Sequence, residues 1–182
     1  MFRFIKEDMR RLADPNQNRS FRSVLAGLFS PGFQALAVYR FFNWCYRHNI
    51  PAQPFRYVVE RAIEIMTGIS IPARCKIGKG LRILHFGGII FHSTAELGDY
   101  CTVYHQVTIG DRGGSGNAAK IGDSVLIGAG AKIIGDITIG DYCKVGANAV
   151  ITENMPTYTV ALGNPAQYRT MKNADTLIQE AN

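Results

Sequence analysis

Aliphatic residues recur every six positions through the second half of this 182-residue chain. They run Ile71, Ile77, Ile83, Ile89 and then, after a slip of two residues, Leu97, Val103 and Ile109. Beyond a polar gap that keeps phase, the series resumes as Ile121, Ile127, Ile133, Ile139, Val145 and Ile151. The next residue is often glycine (Gly78, Gly98, Gly110, Gly122, Gly128, Gly140, Gly146). The fifth position of each unit is small or β-branched (Val107, Val125, Ala131, Ile137, Cys143, Ala149). An α-helix needs a 3.6-residue spacing and does not tolerate this density of glycine. A period of six suits a short strand and a turn, repeated, so that each unit forms one flat side of a parallel β-helix with the aliphatic side chain inside. The sequence therefore predicts a mainly β fold.

The first third lacks this period. Asp14-Pro15-Asn16, Ser30-Pro31-Gly32 and Asn49-Ile50-Pro51 are breaks, and Leu36, Tyr39, Arg40 and Asn43 follow a three-to-four spacing. Two or three helices are expected there. The expected domains are a small N-terminal helical domain over 1–67, the β-helix over 68–156, and a C-terminal turn and tail over 157–182. In the tail Gly163-Asn164-Pro165 reads as a turn and Ala174 to Glu180 as a last short helix.

Residues 1–67 hold ten Lys/Arg against five Asp/Glu, whereas the remainder holds ten against nine. A basic segment rich in aromatics (Phe21, Phe29, Phe33, Tyr39, Phe41, Phe42, Trp44, Tyr46, Phe55, Tyr57) can touch nucleic acid or an anionic membrane surface. It can equally be a helical domain with aromatics inside and arginines outside, which is the favoured reading because no nucleic-acid-binding motif is present. The uncharged segment Val24 to Tyr39 near the N-terminus has sixteen residues and contains Pro31. A membrane-spanning helix needs roughly 20 apolar residues. The opening MFRFIKEDMRR mixes acids and bases, unlike a secretory signal. Cys45, Cys75, Cys101 and Cys143 form no CxxC pair and read as reduced, apolar residues of a cytoplasmic protein.

Departures from a rigid repeat are where chemistry is expected. One is Leu84-His85-Phe86-Gly87-Gly88, beside the slip; the other is the polar excursion from Asp111 to Asn117. His85 and His105 lie twenty residues apart, one three-unit turn plus the two-residue slip, so the two imidazoles should meet on adjacent turns. A neutral imidazole is the usual general base for an alcohol. His48 and His92 read as surface residues. The pair lacks a third metal ligand nearby, so no metal is expected.

The segments GISIPARCKIGKGLRILH, STAELGDYCTVYHQVTIG, IGAGAKIIGDITIGDYCKVGANAVI and GNPA resemble, in order, those of the hexapeptide-repeat acyltransferases, specifically the serine acetyltransferase branch. KEDMRRLADP and SPGFQALAVYRFFNW resemble its helical opening. The resemblance implies a left-handed parallel β-helix, a homotrimer (possibly a higher assembly), acetyl-CoA in the groove between neighbouring coils, and direct acetyl transfer to a hydroxyl. It implies His85 as the general base, with His105 beside it. It places the CoA arm along Ala129, Ala131, Ala147 and Thr152, with Lys132 and Lys144 meeting phosphates. The acceptor would lie among Ser70, Leu84, Phe86, Asp111 and Arg112, with the 111–117 loop closing over it.

The sequence departs from that branch in having Leu84 and Ser70 where it carries aspartates, and Ala118-Ala119 where it carries His-Pro. Two carboxylates that would grip a zwitterion are thus missing. The expected activity is acetyl-CoA-dependent O-acetylation of a sugar or polysaccharide precursor. Serine O-acetylation is the alternative, and a catalytically silent trimeric scaffold is the alternative of another class.

Overall fold

The computed structural model describes residues 2–11, 27–113 and 116–171. Among the described residues, helices α1 (Phe2–Arg10), α2 (Pro31–Arg47) and α3 (Phe55–Thr67) precede a stack of short strands. Ser30 caps α2 by accepting the Phe33 N–H, and Pro31 occupies the first turn, where no backbone donor is needed. Gly68 ends α3 in the left-handed conformation and starts the coil. The predicted break at Asp14-Pro15-Asn16 and the predicted helix at Ala174 to Glu180 lie outside the described residues.

The strands form three flat sides. Side A contains β1 (Ile69–Ser70), β4 (Ile89–Phe91), β7 (Thr108–Gly110), β10 (Lys132–Ile134) and β13 (Val150–Ile151). Side B contains β2 (Lys76–Ile77), β5 (Glu96–Leu97), β8 (Lys120–Ile121) and β11 (Thr138–Ile139). Side C contains β3 (Arg82–Leu84), β6 (Thr102–Tyr104), β9 (Leu126–Ile127), β12 (Lys144–Val145), β14 (Thr159–Leu162) and β15 (Gln167–Thr170). All pairings are parallel except β14 with β15. The predicted end of the repeat at Pro156 falls short, because β14 still pairs in parallel with β12 before the chain turns back into β15.

Register explains each irregularity. Lys132 opposite Val150 and Lys144 opposite Leu126 are eighteen apart, the regular turn of three hexads. Glu96 opposite Lys120 is twenty-four apart, so the polar excursion is one extra hexad thrown out of the stack. Lys76 opposite Glu96 and Arg82 opposite Thr102 are twenty apart. The two-residue slip does not follow Ile89, as the sequence pattern suggested. Phe91 pairs with Ile109 and takes the six-step position, while Ile89 pairs with Ile69 in the fifth-position column. Both are buried, Ile89 at 0% and Phe91 at 2% exposure, which is why the pattern is ambiguous there. The slip therefore sits between Ile83 and Phe91, absorbed by the left-handed residues His85, Gly87 and Gly88.

All thirteen residues of the aliphatic series are buried and form a single interior column with Ala95, Ala131, Ala149 and the coil cysteines. Burial pushes the Cys75 thiol up to about 12 and that of Cys101 up to about 11. These thiols are packing groups, consistent with four free cysteines. The aromatics of the helical segment do not all form its core. Phe33, Tyr39 and Phe42 are buried, but Phe29, Phe41, Trp44, Tyr46, Phe55 and Tyr57 are exposed.

Helices and coil are joined by buried polar contacts. Arg40 donates to both Asp8 carboxylate oxygens (2.9 and 3.2 Å) and to the carbonyls of Ile77 and Gly78 (2.6 and 2.5 Å). The Tyr39 hydroxyl donates to the Cys75 carbonyl at 2.9 Å. Among the described residues no helix is long and apolar enough to cross a membrane.

Candidate active site

The corner between sides C and A carries the sequence-predicted histidines. Leu84 pairs with Tyr104, so the residues after them, His85 and His105, occupy the same corner of successive turns. Their ring centroids are 5.7 Å apart at an interplanar angle of 87°. His85 is exposed and left-handed (φ 64°), an uncommon conformation for a residue with a Cβ. The slip holds it there: the Gly87 carbonyl accepts the Gln106 N–H at 2.9 Å, tying the two corners together. His105 Nδ1 is buried with no hydrogen-bond partner among the described residues. Tyr104, which the hexad pattern did not single out, has its ring 6.1 Å from that of His85. The twenty-residue turn was the available signal for it.

The same corner continues downward through Ala129 and Ala147. Gly130 N–H donates to the His105 carbonyl and Asn148 N–H to the Ala129 carbonyl, at 2.9 and 2.8 Å. The N–H groups of Ala129 and Ala147 bond to no described residue, and both side chains are at least partly exposed. His85, His105, Ala129 and Ala147 thus form one continuous edge, with the paired imidazoles at one end and small residues with open backbone donors below.

Other predicted site residues fall elsewhere. Ala131 is 0% exposed and belongs to the interior column, so it offers no wall to a ligand. Lys132 does not reach freely from the surface. Its Nζ donates to the Gln106 carbonyl at 2.6 Å, fixing the ammonium next to the His105 corner. Lys144 lies on side C, half-buried, with no ion pair among the described residues. Asp111, Arg112 and Thr152 lie at the opposite edge of side A, where Arg112 donates to the Thr152 carbonyl at 3.1 Å and Asp111 accepts the Gly113 N–H at 3.2 Å. A three-residue strand, about 10 Å, separates that edge from the histidines. Within one chain the two groups therefore do not meet. Leu84 and the 59%-exposed Phe86 flank His85 as expected. Ser70 makes no hydrogen bond to His85; it borders a cavity of about 200 Å³ with Tyr57, Glu60 and Pro72.

His92 is a structural residue. Its Nδ1 lies 2.9 Å from Thr94 Oγ1, which donates to the Gly116 carbonyl and accepts the Ala118 N–H, so it braces the foot of the excursion. His48 packs against Trp44. Among the described residues no group of three or more His, Cys, Asp or Glu could hold a metal. A cavity of about 660 Å³ opens away from the histidines, between Phe4, Tyr46 and side B. The histidine edge is one open wall.

A three-sided parallel coil of hexads, with paired histidines at one corner above a run of small residues, defines a hexapeptide-repeat transferase. Residues 118–153 match the family model described as bacterial transferase hexapeptide (six repeats). A serine acetyltransferase of Synechococcus elongatus is 31% identical over 97% of this chain and 73% of its own length. One of Helicobacter pylori is 39% identical over 77% of this chain and 82% of its own. The crystal structure of the Brucella abortus serine acetyltransferase in complex with coenzyme A superposes with a TM-score of 0.84 at 28% identity, covering 94% of this chain and 68% of that one. The chain belongs to the serine acetyltransferase branch of the hexapeptide-repeat acyltransferases, and it is an acyltransferase.

Proposed function

We propose that the chain transfers an acetyl group from acetyl-CoA to an alcohol at the edge formed by His85, His105, Ala129 and Ala147. The observation that carries this reading is the imidazole pair at one end of a ridge of small residues, in a chain whose relative of the same fold binds coenzyme A. The small side chains let an extended arm approach the ridge, and the open N–H groups of Ala129 and Ala147 supply donors for its amides. Lys144, which makes no ion pair among the described residues, suits the phosphates better than the tethered Lys132. His85 takes the proton as the acceptor oxygen bonds to the thioester carbonyl carbon; the carbon–sulfur bond then breaks and the proton passes to the departing thiolate. His105 packs edge-on against His85 and fixes its orientation.

A single wall cannot enclose a ligand as long as CoA, so the working unit is a homotrimer in which a neighbour brings its Asp111–Asn117 excursion to the edge. This accounts for Asp111 and Arg112 lying far from His85 in their own chain. Coil and helices would then act as distinct parts, with 1–67 as the helical domain.

The relatives' names favour L-serine as the acceptor and give a sugar or polysaccharide role no support. One local feature favours an acceptor without charge: His85 is flanked in the chain by Leu84 and the 59%-exposed Phe86, and no described carboxylate hydrogen-bonds to it. The ammonium of serine would need an acid from a neighbouring subunit. Following free thiol from acetyl-CoA with L-serine and with a set of neutral monosaccharides separates the readings. Turnover with L-serine alone establishes serine acetylation, turnover with saccharides alone establishes the second reading, and no turnover with any acceptor refutes the enzyme assignment.

A further inference from the structure

The corner between sides B and C carries a column that the transfer reaction does not use. Gly80, Tyr100, Ser124, Tyr142 and Tyr158 occupy the same left-handed position on successive turns, with φ between 55° and 70°. The N–H of each lower member donates to the carbonyl one turn above: Tyr100 to Lys79, Ser124 to Asp99, Tyr142 to Asp123 and Tyr158 to Asp141. Tyr142 and Tyr158, on neighbouring turns, stack with centroids 5.0 Å apart and planes 4° from parallel. That spacing is what one turn of the coil gives when a ring stands on every rung.

Ser124 interrupts the column. Tyr100 and Tyr142 are two turns apart, about 9–10 Å from the strand spacing, with only a hydroxymethyl group between them. The far face of Tyr100 is already covered: Lys79 Nζ and Arg11 Cζ lie 5.4 and 5.7 Å from its ring centroid, and a Cβ on Gly80 would meet the ring at 2.6 Å. The far face of Tyr142 is covered by Tyr158. The two faces turned toward Ser124 therefore bound a slot one ring thick, and both tyrosines remain 38% exposed. A ring inserted midway would stand about 5 Å from each, inside the favourable stacking range.

The chemistry beside the slot selects its occupant. Asp99, Asp123 and Asp141 form a parallel column of carboxylates. Asp123 Oδ1 accepts the Asp99 N–H at 2.6 Å and Asp141 Oδ1 accepts the Asp123 N–H at 2.7 Å. Asp99 Oδ2 is paired with Lys79 at 3.2 Å, but Oδ2 of Asp123, on the slot's own rung, has no partner among the described residues. The slot thus offers two aromatic faces and a carboxylate acceptor, and the acidic column repels anions. We propose that the Tyr100–Ser124–Tyr142 slot is a binding site for a neutral hydroxylated ring, a pyranose unit of a saccharide, distinct from the transfer edge. The ring stacks between the tyrosines while adjacent hydroxyls donate to Asp123. The proposal does not depend on what the His85 edge acetylates.

Titration of the full-length protein with cellotriose, maltotriose and xylotriose, followed by isothermal calorimetry and tyrosine fluorescence, tests it. Saturable binding of at least one trisaccharide is expected, with Kd of order 1 mM for so small a contact. Ser124→Tyr, which restores the missing ring in a conformation Tyr142 and Tyr158 already adopt, should abolish it. Tyr142→Ala should weaken it about five- to tenfold. Thiol release from acetyl-CoA should be unchanged in both variants, which shows that they are folded. Absence of saturation with all three sugars overturns the proposal. So does binding that survives Ser124→Tyr, or a preference for an aromatic cation such as phenyltrimethylammonium over every sugar.

Discussion

Replacing Arg40 by Met tests how the helices are locked onto the coil. The guanidinium is 3% exposed and the Asp8 carboxylate 1%. Four hydrogen bonds from Arg40, two to Asp8 and one each to Ile77 and Gly78, are lost together, and Asp8 is left with backbone donors alone, the Leu81 N–H at 3.1 Å among them. Breaking a buried pair by removing one partner costs about 3–5 kcal/mol because the other charge is stranded. For a chain of this size that is a drop in Tm of roughly 6–20 °C. Burial already raises the Asp8 carboxyl above its ordinary range, and Arg40 opposes that rise. Without Arg40 the folded-state value climbs further above the unfolded one, so the folded protein binds the extra proton as pH falls. The deficit of Arg40→Met should therefore be smaller at pH 5 than at pH 7, and a second change, Asp8→Leu, should recover most of it. Urea melts followed by circular dichroism at the two pH values measure this. A loss under about 1 kcal/mol, or a deficit that grows on acidification, would refute the reasoning.

Lys132→Met frees the Gln106 carbonyl and loosens the His105 corner; kcat should fall about tenfold with the KM for acetyl-CoA within about twofold, whereas a phosphate ligand would show the reverse. Ile133→Ala empties a fully buried site in the interior column and should cost about 2–5 kcal/mol in a urea melt. Burial raises the thiols of Cys75 and Cys101 to about 12 and about 11. The folded state keeps these protons after the unfolded state has lost its own, so stability should decline from about pH 9 upward, where free thiols ionise. Replacing both cysteines with Ala should flatten that decline in thermal melts.

The coil was legible because its interior admits one kind of residue at one spacing; every member of the aliphatic series is buried as its period requires. The meeting of His85 and His105 was legible for the same reason, as a matter of counting turns. What the period could not supply was the location of the slip, since Ile89 and Phe91 both suit the interior and only strand pairing distinguishes them. The inward direction of Ala131 is legible from its place in the fifth-position column, against the ligand-wall position that the family resemblance implies. The tether of Lys132 to the Gln106 carbonyl is not legible in the sequence, because a long side chain's end point depends on which carbonyl lies within reach. Neither the exposure of Phe55 and Tyr57 nor the distance from Asp111 to His85 follows from a one-chain pattern, because each depends on surfaces the repeat does not specify.

The most direct test is the rate of free-thiol release by His85→Ala, measured beside the native protein with saturating acetyl-CoA and whichever acceptor supports turnover. If His85 removes the acceptor proton, kcat falls by roughly 10² to 10⁴ while coenzyme A binds with unchanged affinity, because the Ala129 and Ala147 ridge is untouched. A variant that keeps half the native rate would contradict the assignment and move the base to His105.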